Sequence, residues 1–308
     1  MLRLESAAKS RYLARPGAGI MQIGARVLAG FAAWLAASAP ALAQSASATD
    51  KSQYWLLNPV PTGQMRDFNT DRPPKANSPY TVDAGHFQYE TDLVNFATQA
   101  TGPITVNTLL APNPTFKVGL TNNIDFEVNA PTVVGVRTYN AAANAASTVW
   151  GVDDVFVRAK INLWGNDGGK SALALIPYVK APAAPPGIGN GATEEGLIAP
   201  LSISLPNDFT LVFNSEIDAL KDGADNGRHA NFINLVNISR PVVKNITLYL
   251  ELWSDYNDDP TQKATQLSFD TAVTWLIRPN LQVDFGADVG LTHVTPTVQV
   301  FAGLSQRF

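Results

Sequence analysis

From Ala84 to the C-terminus, apolar and polar residues alternate with a period of two in one segment after another. The pattern is clearest in Ile124-Asp-Phe-Glu-Val-Asn129, Ile246-Thr-Leu-Tyr-Leu-Glu-Leu252 and Leu281-Gln-Val-Asp-Phe-Gly-Ala-Asp-Val289, where every second residue is apolar. In the last segment Val298, Val300, Ala302, Leu304 and Phe308 share one face, with Gln299, Ser305 and Arg307 on the other. A strand turns successive side chains to opposite faces, so each segment has one oily and one polar face. A tilted membrane strand needs roughly nine to eleven residues to cross, and these segments have that length. They predict about twelve strands, an even number as such barrels require. The predicted spans are 84–97, 108–120, 123–134, 150–164, 171–182, 195–206, 208–220, 229–241, 244–256, 264–278, 280–292 and 295–308.

The connections alternate in length. Short ones fall at Thr121-Asn122-Asn123, Gly165-Asn-Asp-Gly-Gly169, Pro206-Asn207-Asp208, Val242-Val243-Lys244 and Arg278-Pro279-Asn280, mostly with turn-forming residues. Longer ones fall at 98–107, 135–149, 183–194, 221–228 and 257–263. Short periplasmic turns opposite longer outer loops are the asymmetry of outer-membrane barrels, and an even strand count leaves both chain ends on the periplasmic side. Trp150, Trp164, Tyr178, Tyr249, Trp253, Tyr256 and Trp275 fall mostly near predicted strand ends, either as interfacial girdles or as the aromatics any strand favours.

The N-terminus follows a different rule. Arg3, Lys9, Arg11, Arg15 and Arg26 precede an apolar run from Val27 to Ala39, which is followed by Ala41-Leu42-Ala43. A basic start, an apolar stretch and an Ala-x-Ala end mark a secretory signal over residues 1–43, and Met21 is a second candidate start. The apolar run has 13 residues, too short for a spanning helix, which takes roughly 20. Residues 44–83, rich first in Ser, Ala and Thr and then in Pro, carry no sustained period and read as an irregular N-terminal extension of a barrel spanning 84–308.

An exported chain without a spanning helix can satisfy its backbone in lipid only as a closed barrel. Mean hydropathy near zero fits an apolar-out, polar-in wall. There is no cysteine, so neither a disulfide framework nor a thiolate metal site is available. Residues 1–43 hold five of the 22 basic residues and one of the 26 acidic ones, so the remainder carries a net charge of −8. That argues against a nucleic-acid partner, which needs a basic face. The expected fold is therefore all-β, a transmembrane antiparallel β-barrel of about twelve strands in contact with outer-membrane lipid.

Two stretches resemble a known family. Asp71-Arg-Pro-Pro-Lys75-Ala-Asn77-Ser-Pro-Tyr80-Thr-Val-Asp83-Ala-Gly85-His-Phe-Gln88-Tyr-Glu90-Thr-Asp92 resembles the opening motif of the outer-membrane barrel family catalogued under the meta-pathway of phenol degradation. Gly151-Val-Asp153-Asp154-Val-Phe-Val-Arg158-Ala-Lys160-Ile-Asn162-Leu-Trp164 resembles its mid-barrel strand. The resemblance runs from about residue 67 to the C-terminus and implies a Gram-negative outer-membrane channel or transporter, with aromatic or hydrophobic catabolic solutes as cargo. The terminal Phe308 resembles the signature read by the barrel-assembly machinery, a third expected partner beside lipid and solute.

Turning the apolar faces outward leaves an acid-rich inner wall of Gln88, Glu90, Asp92, Asp125, Glu127, Asp154, Arg158, Lys160, Glu216, Asp218, Glu251, Asp270, Asp284, Asp288 and Arg307. Charges lining a pore set its selectivity, and the acid surplus favours cations or neutral solutes over anions. The same charges could equally pair with one another and brace the wall. Ahead of the first strand, Asp71 and Arg72 carry opposite charges beside prolines. Residues 67–83 either fold into the lumen as a plug, with Asp71 and Arg72 pairing to the wall, or lie in the periplasm as a tether.

Catalysis is not expected. His86, His229 and His293 are 143 and 64 residues apart, and none belongs to a His-x-Ser pair of the kind a barrel-wall hydrolase uses. The nearest approach is His293-Val-Thr295, and Thr is a poor nucleophile without special activation. Nothing resembles a nucleotide site or a metal site, so no cofactor and no metal is expected. The carboxylate pairs Asp153-Asp154 and Asp258-Asp259 are either calcium ligands in outer loops or solvated charges. Passive diffusion of small solutes is the expected role, with a structural or adhesive barrel as the alternative.

Overall fold

A computed structural model describes residues 50–224 and 227–308; the signal segment lies outside them. Fifteen strands form one antiparallel sheet: β1 (Phe87–Thr101), β2 (Ile104–Leu110), β3 (Asn113–Gly119), β4 (Ile124–Asn129), β5 (Val134–Asn140), β6 (Ala145–Gly151), β7 (Val155–Trp164), β8 (Ser171–Ala181), β9 (Glu194–Ser204), β10 (Thr210–Lys221), β11 (Arg228–Val243), β12 (Ile246–Asn257), β13 (Ala264–Arg278), β14 (Leu281–Gly290) and β15 (Val298–Arg307). β15 pairs back onto β1, from Gln88 with Arg307 to Thr98 with Val298, and so closes a twelve-stranded barrel of β1, β3, β4 and β7 to β15. Closure leaves the barrel without sheet edges, as lipid demands.

β2, β5 and β6 stand outside the ring and prolong three of its walls. β2 and β3 both pair with β1, β5 and β4 follow with the same register sense, and β6 pairs with β5. The breaks fall at Pro112, at Pro131 and at Val152 to Asp154. At the first two breaks a proline gives the ladder no N–H, so the long strands are interrupted there. The expected loops at 98–107 and 135–149 are therefore mostly strand, turning only at Gly102-Pro103 and at residues 141–144. They lacked a membrane signature because this part of the wall has water on one side. On the other, Val106, Leu110, Val134 and Val136 pack with Ile188 of the β8–β9 loop in a small core of their own.

The lipid-facing belt follows from the alternation. On β12 Leu250 and Leu252 are 47% and 52% exposed while Glu251 is 3% exposed, and on β14 Phe285 is 57% exposed while Asp284 is fully buried. A water-soluble barrel would reverse that arrangement. The protein is an outer-membrane β-barrel, oily outside and charged inside. Both ends of the barrel chain lie together: the Phe308 amide donates to the Phe87 carbonyl, and the His86 ring reaches the carbonyls of Phe308 and Val60.

Candidate functional site: the lumen and the segment that crosses it

Residues 50–83 are irregular apart from one 3-10 turn, Thr62–Gln64. Trp55 bridges to Thr121, and Lys51 pairs with Asp167 of the β7–β8 turn at 2.8 Å, so the segment begins at the turn end of the barrel. Arg66 marks the entry, donating to Asp167 at 2.9 Å and to the Asn122 carbonyl at 2.7 Å. The chain then runs inward to Lys75 and Ala76 and returns at Thr81, whose amide donates to the Asn166 side chain. Pro73, Pro74 and Pro79 explain why it does not add to the sheet.

Three charged residues of this crossing, Asp71, Arg72 and Lys75, each meet opposite charges on the wall. Asp71 accepts from Lys160 at 2.8 and 2.9 Å and also from Lys117, which itself holds Glu90 at 2.6 Å. Arg72 pairs with Asp92 of β1 and Asp284 of β14, each at 2.7 Å. Its guanidinium occupies the space that a side chain at position 303 of β15 would fill: a Cβ on Gly303 would collide with its Nη2. Lys75 pairs with Asp270 at 2.7 Å and Asp288 at 2.9 Å, and its amide and that of Ala76 donate to Glu251. Farther along, the Asn77 amide donates to Asn214, Asn162 donates to the Pro79 carbonyl, and the Val82 amide donates to Asp125. Arg307 donates to the Arg66 carbonyl and lies 3.4 Å from Asp83.

Other candidate wall residues are held by neighbours outside the crossing segment. Glu127 lies 3.3 Å from Lys160. Glu216 and Asp218 accept from the Tyr178 hydroxyl. Asp154 stands at the break before β7, where it accepts from the amides of Ala183 and Ala184 and pairs with Lys180 at 2.9 Å. It therefore ties down the β8–β9 loop. Lys75 and Lys117 complete the charge network without having been among the candidates. Lys117 alternates with Phe116 and Val118, so the same period identifies it. Lys75, on an aperiodic segment, carries no such signal.

Three cavities open around the crossing. One of about 670 Å³ lies at the turn end, between residues 64–82 of the segment and strands β9 to β12. A second, about 130 Å³, lies between Asp71 to Lys75 and β1 to β4. The third, about 70 Å³, is bounded by Lys75 and Asn77 and by β7 to β15.

A family model described as "Putative MetA-pathway of phenol degradation" matches residues 70–308. The chain belongs to this family. The match begins one residue before Asp71, so it takes in the crossing segment with the barrel. Among solved structures, the COG4313 outer membrane channel from Pseudomonas putida F1 superposes with a TM-score of 0.52 at 15% identity, over 72% of this chain and 94% of that one. The NanC porin follows with a TM-score of 0.46 at 12% identity, over 71% and 98%. The translocator domain of the autotransporter NalP from Neisseria meningitidis has a TM-score of 0.43 at 11% identity, over 72% and 88%. A comparison with curated proteins finds no match.

The histidines have separate partners. His86 holds the chain ends, His229 Nδ1 is 2.8 Å from Asp222, and the His293 carbonyl accepts from Thr101. Among the described residues, no group of three or more His, Asp or Glu has the arrangement of a metal site.

Proposed function

We propose that the protein is a passive outer-membrane channel for small solutes, with residues 67–83 acting as a plug that sets its resting conductance. The observation carrying this reading is the way the crossing segment is held. Asp71, Arg72 and Lys75 each bridge two wall residues of opposite charge, and cavities remain on several sides of the segment. A segment seated by ion pairs across the barrel, with space left beside it, narrows a pore without filling it. The acid-rich lining favours cations and neutral molecules. Membership of a family named for phenol degradation supports small aromatic solutes as the cargo. Phe308, at the end of β15 and 65% exposed, fits a residue read during assembly, and its deletion should lower the amount of folded barrel in the outer membrane.

Single-channel recording in planar bilayers tests the channel reading. The full chain should show small conductance steps that phenolic solutes interrupt, and deletion of residues 50–80 should enlarge them. Folded barrels that conduct nothing in either form would point instead to a structural or adhesive role. Unchanged conductance after the deletion would leave a channel but remove the plug.

A further inference from the structure

Among the described residues, Arg158 differs from the other buried cations inside this barrel. Lys117, Lys160, Lys180, Arg307 and the segment's Arg72 and Lys75 all have a carboxylate oxygen within 3.4 Å. Arg158 is 8% exposed, and none of the described carboxylates lies within ion-pair distance of it. Its cross-strand neighbour Glu127 is engaged by Lys160 instead. The contact it does have is with a ring: the guanidinium lies 5.6 Å from the centre of Phe156, and its Nε has no hydrogen-bond partner. A buried charge without a counter-ion is costly, so the site is complete only when something supplies one.

The surroundings narrow what that could be. Arg158 lines the 70 Å³ cavity together with Phe156, Tyr178, Ile198, Ile233, Leu235 and Trp253, an apolar arc in a lumen that is otherwise charged. Trp253 is also 8% exposed, and its indole N–H, a second donor on the same cavity, is likewise unpartnered. Ala76 of the plug packs against Ile233, Leu235 and Trp253, so the segment forms part of the seat. Glu216, Asp255 and Asp288 line the cavity too. They act against a small inorganic anion, which has no apolar surface to offset their repulsion.

We propose that this arc is a binding site for a monocyclic aromatic carboxylate. The carboxylate would accept from Arg158, in a charge-assisted pairing that Arg geometry suits, with the ring against Phe156 and the aliphatic wall. The cavity is only partly enclosed, so such a ligand would place its head and part of its ring there and leave the rest in the lumen. The proposal rests on the channel reading only for its role as a solute subsite; the site itself does not need transport.

The test uses benzoate, phenol and acetate as probes, titrated at neutral pH into the purified full-chain barrel, with binding followed by calorimetry and by tryptophan fluorescence. Benzoate should bind at least roughly ten-fold more tightly than phenol or acetate, as loss of a charge-assisted hydrogen bond or of the ring would predict. Arg158→Gln should weaken benzoate by roughly ten-fold or more and leave phenol unchanged, and Arg158→Lys should restore part of the loss. Equal binding of benzoate and phenol, or unaltered benzoate binding in Arg158→Gln, would overturn the site. If Arg158→Gln does not fold, the three probes on the native protein decide alone. Conductance in salt without benzoate preference would remove the site and leave the channel; benzoate binding without conductance would do the reverse.

Discussion

Lys160 on β7 places its ammonium 2.8 and 2.9 Å from the two carboxylate oxygens of Asp71, which lies 89 residues earlier in the chain. Lys117 approaches the same carboxylate from β3, so one acidic side chain on an irregular segment holds two lysines of the barrel wall together. Asp71→Asn should leave these two ammoniums close together with only the wall carboxylates Glu90 and Glu127 to offset them. Breaking such a buried pair costs about 3–5 kcal/mol. The variant should lose its heat-resistant folded form at a lower temperature on gels, and its single-channel trace should open more often.

Gly303→Ala changes no charge, yet it puts a methyl group where the Arg72 guanidinium lies. Because that guanidinium is tied to Asp92 and Asp284, it cannot step aside without lengthening at least one ion pair. The variant should fold, conduct more than the parent and expose the segment near Arg72 to protease. Conductance and cleavage identical to the parent would mean that Arg72 is free to move.

Acid should loosen the entry to the crossing. Burial acts to raise the pKa of Asp167, but hydrogen bonds from Lys51, Asn122 and Arg66 outweigh it and hold this turn carboxylate below its ordinary value. A depressed pKa contributes stability that is present above the ordinary value, near 4, and is lost as pH falls through the folded value. Protease cleavage within residues 50–66 should therefore increase once pH drops below about 4. Asp167→Asn should already be cleaved at neutral pH and should lose that acid response.

The orientation of the wall can be read from a matched pair on β12. Leu250→Arg places a charge in the lipid belt and should cost about 2–4 kcal/mol if it lies near the midplane. The loss should appear as a lower urea midpoint for the refolded barrel in vesicles. Glu251→Gln, one residue on but inside the lumen, should leave lipid insertion unchanged and alter conductance.

The barrel was legible because lipid and water sit on opposite sides of one wall, so strands such as Ile124–Asn129 and Leu281–Gly290 write the difference into every second residue. The extra height of β2, β5 and β6 was not. Once past the membrane the wall no longer faces lipid, and Ala145–Gly151 is largely exposed with no oily face to reveal it. Asp71 and Arg72 stood out by charge and by their prolines, but their partners depend on the path of the segment, which no period encodes. The same holds for Arg158. Its position on the inner face followed from alternation, whereas its lack of a counter-ion emerges only when every other charge has been placed.

Arg72 has a bearing on how the molecule comes together. Its two carboxylate partners belong to β1 and β14, and it fills the gap above Gly303 on β15, so it lies across the place where the last strand meets the first. Those two ion pairs can coexist only once that meeting has occurred. The segment precedes every described strand, yet its anchorage at Arg72 waits for the final one. Enclosing the segment and sealing the cylinder are thus one event, and an inserted barrel with an empty interior would have missed a bond that spans its own seam.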